Sequence, residues 1–575
     1  MLRRFTIGLA LSVVLMAVTP PGPAAGKNQT FEQLAHEILE TLQSFYPVRA
    51  TEMGIHSYDH RLADYSSSSV KSMIKKLNDY EQQLYRFRNT RFTPAQQVDY
   101  KLIKSNVDIA LQDLKQIEWH KKSPQLYVGE AVNGVYFLML SQHAPLSEKL
   151  YSILSRMEAV PGLFSTARKN VKAPPRVWVD AATTALESGM EFYRQVASQL
   201  MSAFPDRADE ISRVSTKARE AMNDYLEFVS RLEAGSGTAF AIGKGNFDYK
   251  LSHEYFLTID SDSLLRVGEA LLDEAKRAYD EYEMYVEQYH QNGQDSVFVP
   301  ASFTRQDVLD YYQWETNQIK LFVQMTDLLN VPEDIADVSV VETPPFMRSM
   351  IPGIAYLPAG PFDTSQQGYF YIRPVPEALD RKQLEALYRY VHRRGFKGSV
   401  VHEAFPGHHL QMQIAGRHES EVRRWQRNYM MIEGWALYCE EMMYNAGLYG
   451  DEDPAQWLAI LGGIVFRAAR IVADVKLHTE QFTYQECVDW MTDVLEAETE
   501  SEKEYIRTSI RKYTLTPTIW MSYLMGKTEI ERLRAAAEAN DPGSFDERDF
   551  YDALLAEGSI PPAMMWEIMN LEPVP

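Results

Sequence analysis

The segment Val401–Gln411, VHEAFPGHHLQ, places one glutamate and three histidines close together. Two histidines one helical turn apart, the first followed by a glutamate, are the usual start of a zinc-hydrolase site. Here the spacing is broken, because the residue four after His402 is Pro406, and Gly407 follows. In an uninterrupted helix His402 and His409 would share a face but lie about 10 Å apart along the axis. That is too far for two bonds of about 2 Å to one ion, and His408 would point elsewhere. Pro406 removes an amide donor and crowds the carbonyl four residues back, while Gly407 tolerates almost any backbone angle. Together they predict a bulge that absorbs two residues and sets His408 one turn after His402. His409 remains the rival second ligand, or a group behind it.

Zinc in a hydrolase takes three protein ligands and leaves one position for water. The third ligand is expected on a neighbouring helix. In NYMMIEGWALYCEEMMYN, Glu433 stands among Met430, Met431, Ile432, Trp435, Ala436 and Leu437. A carboxylate there is costly to bury without a partner. A metal would be that partner; an arginine from the adjacent RRWQR run is the alternative. Gly434 lets this helix approach the motif helix closely, and Glu440 and Glu441 read as the start of a polar face. The expected cofactor is one Zn2+ per chain, though manganese or cobalt also suit two imidazoles and a carboxylate.

The elements that must hold these residues are mainly helical. FEQLAHEILETLQSFY puts Phe31, Leu34, Ile38, Leu39 and Leu42 near one face, and similar patterns recur to about residue 330. Between Val338 and Pro374 the pieces VSVVET, GIAYLP and GYFYIRP are β-prone and punctuated by Pro and Gly, which predicts a small antiparallel sheet. Helical spacing returns at Leu384, Leu387, Tyr388 and Val391 and continues to the C-terminus. The expected fold is mostly α. The expected organisation is a signal peptide at 1–25, a helical lobe at 26–330 and a catalytic lobe at 331–575, the two lobes separate or intertwined.

The chain has 575 residues, too many for one core of usual size. Its net charge of −21 argues against nucleic acid and anionic membrane surfaces as partners. Arg3 and Arg4 precede an apolar run from Phe5 to Val18, followed by Pro, Gly and Ala, which is the layout of a secretory signal. The expectation is an exported protein, periplasmic or secreted, with no stable membrane insertion after cleavage. No cysteine lies near the expected cleavage site. Cys439 and Cys487 are the two in the chain, either paired or both buried thiols.

HEAFPGHHLQ followed by EGWALYCEEM resembles a large, mostly bacterial family, domain of unknown function 885 (DUF885). That family is grouped with the gluzincin metallopeptidases, thermolysin-like zincins with two histidines and one glutamate as ligands. ATEMGIHSYDHRLADYS, RAARIVADVKLH and IRKYTLTPTIWMSYLMGK are similar to its flanking blocks, so the resemblance spans most of the mature chain. It implies a multi-helix zincin-like fold with a central cleft, His402 and His408 as ligands, Glu403 as general base and Glu433 as third ligand. The zincin pattern His-Glu-x-x-Gly-His of dipeptidyl peptidase III-like enzymes also sets glycine before the second histidine, in favour of His408. The chain departs from the family pattern at Arg511–Tyr513, where Lys512 precedes Tyr513 and Ser509 stands near an expected acid.

The chemistry expected is amide hydrolysis. Zinc lowers the pKa of its water and polarises the scissile carbonyl; Glu403 takes the proton and passes it to the leaving amine. The oxyanion needs donors. In LGGIVFRAARIVADVKLH, Arg467, Arg470, Asp474 and His478 form one stripe, with His478 expected at the oxyanion and Arg470 at a substrate carboxylate. An internal Arg–Asp pair with an exposed histidine is the alternative. Tyr523 and Tyr513 are phenol donors, assigned to catalysis and to substrate binding. Arg373, in GYFYIRP, is a further candidate for substrate, and that strand is expected at the sheet edge, pairing with extended peptide. The leading reading is an exported zinc peptidase acting on short peptides as a carboxypeptidase or dipeptidase. The alternatives are a non-peptide amidase and a non-catalytic periplasmic binding protein with a degenerate zincin fold.

Overall fold

Helices begin where the sequence supplies caps. The Thr30 hydroxyl accepts from the Gln33 amide, and the Gln33 side chain accepts from the Thr30 amide, which satisfies two orphan donors and opens the helix Phe31–Phe45. Its five expected core residues, Phe31, Leu34, Ile38, Leu39 and Leu42, are all buried. The computed structural model describes residues 29–290, 300, 302–344, 354–393, 395–450 and 454–572. The expected signal peptide lies outside them. Pro47 starts a short helix, α1 (Pro47–Glu52), where its missing amide costs nothing. Long helices follow, among them Ser67–Arg86, Leu146–Asn170, Arg176–Ala203, Ser261–His290 and Arg305–Thr326.

The three β-prone pieces form three strands, β1 (Ser339–Glu342), β2 (Ala355–Leu357) and β3 (Tyr369–Ile372). The sheet is mixed, not antiparallel as expected. β3 is central, parallel to β1 and antiparallel to β2. Parallel pairing needs a long crossover, and β2 lies between β1 and β3 in the sequence. A second correction follows: GYFYIRP is bonded on both sides, so β2, not β3, is the free edge near the histidines.

The helices that carry the site come next: α2 (Gly395–Glu403), α3 (His408–Ala415), α4 (Tyr429–Asn445), α5 (Pro454–His478), α6 (Glu500–Tyr513) and α7 (Ser522–Asn540). Gly434 does let two helices meet, but the partner is α7 and not the motif helix. A Cβ on Gly434 would lie 2.5 Å from the Gly526 backbone, and a Cβ on Gly526 would lie 2.1 Å from the Met430 carbonyl. Only glycine fits at both positions.

The fold is mostly α with this small sheet. Residue 330 does not separate its cores. One apolar core runs from Phe31 through Val400, Trp435 and Tyr551 to Leu571, and another joins Trp178 and Phe247 to Val475 and Tyr513. Cys439 and Cys487 are buried free thiols in different cores. Among the described residues no helix is long and apolar enough to cross a membrane.

Candidate metal centre

Helix α2 stops at Glu403 and α3 starts at His408. Between them the amides of Ala404 and Phe405 both turn to the Val400 carbonyl, at 2.8 and 3.1 Å, and the Gly407 amide reaches Val401 O at 3.0 Å. A Cβ on Gly407 would stand 2.0 Å from the His402 carbonyl oxygen, so the break closes only around glycine. The Trp435 indole donates to the Pro406 carbonyl at 2.8 Å and ties the break to α4. The result brings the rings of His402 and His408 edge to face, with centroids 4.8 Å apart.

Glu433 meets both from α4. Its Oε2 is 3.6 Å from His402 Nε2 and 3.5 Å from His408 Nε2. Charge-assisted hydrogen bonds are shorter, about 2.7–2.9 Å. Two ligands on a tetrahedral zinc with bonds of about 2.1 Å lie about 3.4 Å apart. Donor types and spacing therefore fit zinc better than they fit a hydrogen-bonded cluster. The side chains of His402, His408 and Glu433 keep 13%, 9% and 14% of their surface, enough for a small ligand to reach them. No arginine from the RRWQR run pairs with Glu433: Arg423 pairs with Asp99 and Glu557, Arg424 lies over Phe362, and Arg427 Nε donates to the Met53 sulfur.

Two carboxylates surround His402. Its Nδ1–H donates to Glu440 Oε1 at 2.9 Å, which leaves Nε2 as the nitrogen facing Glu433 and His408. Arg467 Nη2 lies 3.3 Å from the same Glu440 oxygen. Without a metal, burial alone lowers the pKa of His402, but the facing Glu433 and Glu440 carboxylates outweigh it and raise it to about 10, so a metal at Nε2 would have to displace a proton there. Burial raises the Glu433 carboxyl, but the two histidines draw it well below the usual carboxylate range. Glu440 was not among the expected site residues. The signal was there: it stands seven residues after Glu433, two turns along the same face of α4.

His409 is not available as a ligand. It is fully buried, its Nε2–H donates to the Ala336 carbonyl at 2.7 Å, and its Nδ1 accepts from the Tyr356 hydroxyl at 2.9 Å. Burial pushes its pKa down to about 4. Tyr356 also donates its backbone amide to Glu403 Oε2 at 3.2 Å. One residue of the free edge strand thus positions Glu403 and locks His409. Beyond β2 lie two shallow surface pockets that share Pro358, Ala359 and Arg427.

The α5 stripe divides. Arg467 joins Glu440, and Arg470 donates Nε to the Tyr513 hydroxyl at 3.0 Å. Asp474 is fully buried and accepts from the amides of Thr518 and Met521 at 3.1 and 3.2 Å, which fixes the turn into α7. No Arg–Asp pair forms within the stripe. The expectation for His478 is overturned: it is fully buried, packed against Phe240 and Phe247, and its Nε2–H donates to the Tyr513 carbonyl at 2.9 Å. It lies two turns of helix beyond Arg470 and cannot stabilise an oxyanion at His402. Tyr523, next to Gly526 on α7, does lie beside Glu433; burial and then that carboxylate hold its phenol protonated, well above the usual pKa. Tyr513 is buried behind Arg470 and touches solvent nowhere. Arg373 is exposed just past the end of β3.

A second group of ligand-type residues converges at His56, Asp59 and His143. Both nitrogens of His56 are donors, to Asp59 at 2.9 Å and to Asp363 at 2.8 Å, so this ring is an imidazolium. It stacks on His143 at 3.5 Å with an 18° tilt. The charges of Lys149 and Arg156 already act on these carboxylates. This group is a charge bridge from the α1 end of the chain to the β2–β3 loop, and it does not suit a dication.

The geometry defines a mostly helical protein in which a broken helix brings together two histidines and a glutamate. The chain belongs to the DUF885 family, described as bacterial protein of unknown function, whose pattern matches residues 47–569. Two solved structures share the fold. One, from Shewanella oneidensis, is 20% identical with a TM-score of 0.73 and covers 94% of this chain and 100% of its own. The other, from Colwellia psychrerythraea, is 17% identical with a TM-score of 0.74 and covers 94% and 98%. Both are described as a "putative lipoprotein", the first of unknown function. The comparison with curated proteins gives no match.

Proposed function

We propose that the chain is an exported zinc-dependent peptidase of gluzincin type that hydrolyses short peptides. The observation that carries this reading is the position of Glu433 Oε2, 3.6 and 3.5 Å from the Nε2 atoms of His402 and His408. Zinc bound there supplies a Lewis acid that activates water and polarises a carbonyl. The chain's own residues do the rest. Glu403, steadied by the Tyr356 amide, takes the proton from water and delivers it to the leaving amine. Tyr523, protonated beside Glu433, donates to the developing oxyanion in the place expected of His478. Glu440, backed by Arg467, keeps His402 in the tautomer whose Nε2 is free. The open edge of β2, next to Glu403, is where an extended peptide would add as a strand. Export is read from the N-terminal leader and from the descriptions of the two structural relatives.

The test is the metal content of the purified mature protein by mass spectrometry, wild type beside His402→Ala and Glu433→Ala, followed by a peptide-library screen. The expected result is about one zinc per chain, absent from both variants, and cleavage by wild type alone. Wild-type protein that stays metal-free after zinc is supplied would overturn the reading.

A further inference from the structure

Arg470 is set in a cage of rings. Its guanidinium carbon lies 4.5 Å from the ring centre of Phe466, 4.9 Å from Tyr523, 5.2 Å from Trp520 and 5.9 Å from Tyr513. Of its five N–H groups, one, on Nε, is used, toward the Tyr513 hydroxyl. Among the described residues no carboxylate lies within ion-pair distance of it. A guanidinium enclosed by side chains without a counter-ion is costly. Rings cover its faces, whereas carboxylates bind in its plane, through paired N–H groups. The unused Nη edge is therefore of the kind that takes a carboxylate brought from outside.

Its position gives the carboxylate a meaning. Tyr523 touches both centres, with its hydroxyl beside Glu433 and its ring against Arg470. The span from the metal group to Arg470 is thus about one tyrosine side chain, which one or two residues of extended peptide cover at about 3.5 Å each. The neighbouring Arg467 is already committed to Glu440. Arg427 lines a surface pocket together with Glu52.

We propose that Arg470 is the receptor for the free α-carboxylate of the substrate, so that the chain releases one or two residues from peptide C-termini. This rests on the peptidase reading, which it deepens by naming the end of the substrate that is recognised. The specificity is structural: an amidated C-terminus offers no charge and leaves the guanidinium unpaired.

The experiment compares a tripeptide pool carrying free C-terminal acids with the same pool amidated. Retention is measured by mass spectrometry on zinc-loaded Glu403→Gln, and turnover on wild type. Free acids are expected to be retained and cleaved at least about tenfold better than amides. Arg470→Gln should erase that preference by raising KM for the acids far more than for the amides, and Arg470→Lys should restore part of it. A structural role alone would change both pools by the same factor and leave the preference intact. Equal treatment of acids and amides, retention of neither pool, or loss of the preference in Arg427→Gln but not Arg470→Gln would overturn the assignment. Selective retention of acids without turnover in wild type would keep the receptor and reject the hydrolase.

Discussion

The Glu440 carboxylate accepts the Nδ1–H of His402 at 2.9 Å, so the residue read as polar surface is the one that aims the first histidine. Carboxylates in this position typically account for 10- to 100-fold in metal affinity. Glu440→Gln should weaken zinc binding by about that factor while leaving the far-ultraviolet circular dichroism unchanged. Competition with a chromophoric chelator measures it, and an unaltered affinity would remove Glu440 from the site.

His408 and His409 are adjacent in sequence and opposite in commitment. His408→Ala should abolish zinc binding. His409→Gln should keep zinc and lower stability by about 1–3 kcal/mol, because it strands the Ala336 carbonyl or the Tyr356 hydroxyl. Zinc stoichiometry and thermal melting on the two variants decide it; the reverse pattern would exchange their roles.

Glu403→Gln should retain a full complement of zinc and lose about 10²- to 10⁴-fold in kcat, the usual scale for a general base. Stoichiometry is read by mass spectrometry and rate with whichever library peptide wild type cleaves. A variant with wild-type kcat would leave the proton with another group.

Gly526→Ala forces a methyl group against the Met430 carbonyl, where nothing flexible can give way. Overpacking of this kind costs about 1–3 kcal/mol. Because Tyr523 and Glu433 ride on the two helices in contact there, both the melting temperature and zinc affinity should fall. Gly543→Ala, with nothing within 4 Å, is the control that should change neither.

The His56 bridge carries a pH signature. Burial alone lowers its pKa, but hydrogen bonds to Asp363 and Asp59 outweigh this and raise it to about 9, against 6.5 unfolded. A raised folded value means its stabilisation is full below about pH 6.5 and is lost as pH rises through about 9. At 1.36 kcal/mol per tenfold change the ceiling is about 3–4 kcal/mol, and solvent screening of this part-exposed ring holds the contribution below it. Urea midpoints from pH 6 to 10 should fall for wild type and be flatter for His56→Gln. Parallel curves would mean the bridge does not titrate in this range.

Local chemistry was legible where a residue type has few uses. Pro406 and Gly407 announced a broken helix, and a carboxylate among methionines announced a partner for Glu433. Three β-prone pieces were readable as strands, but not their order, because pairing direction depends on where a long crossover returns and not on strand composition. His478 misled for a related reason. Spacing at i+11 from Arg467 placed it on the right face of α5, yet three turns along a helix leads out of the site and into another core. Glu440 was lost by reading Glu-Glu as a solvated face, although its neighbour Cys439 is fully buried.

One core holds Phe31 and Leu571 together with Val400 and Trp435. A polypeptide exported amino end first therefore presents its histidines to the new compartment well before the last residues that brace them arrive. If the site takes zinc as proposed, its loading would be a late event, set by completion of the whole chain, and removal of the final helical segments should act on the metal as surely as mutation of a ligand.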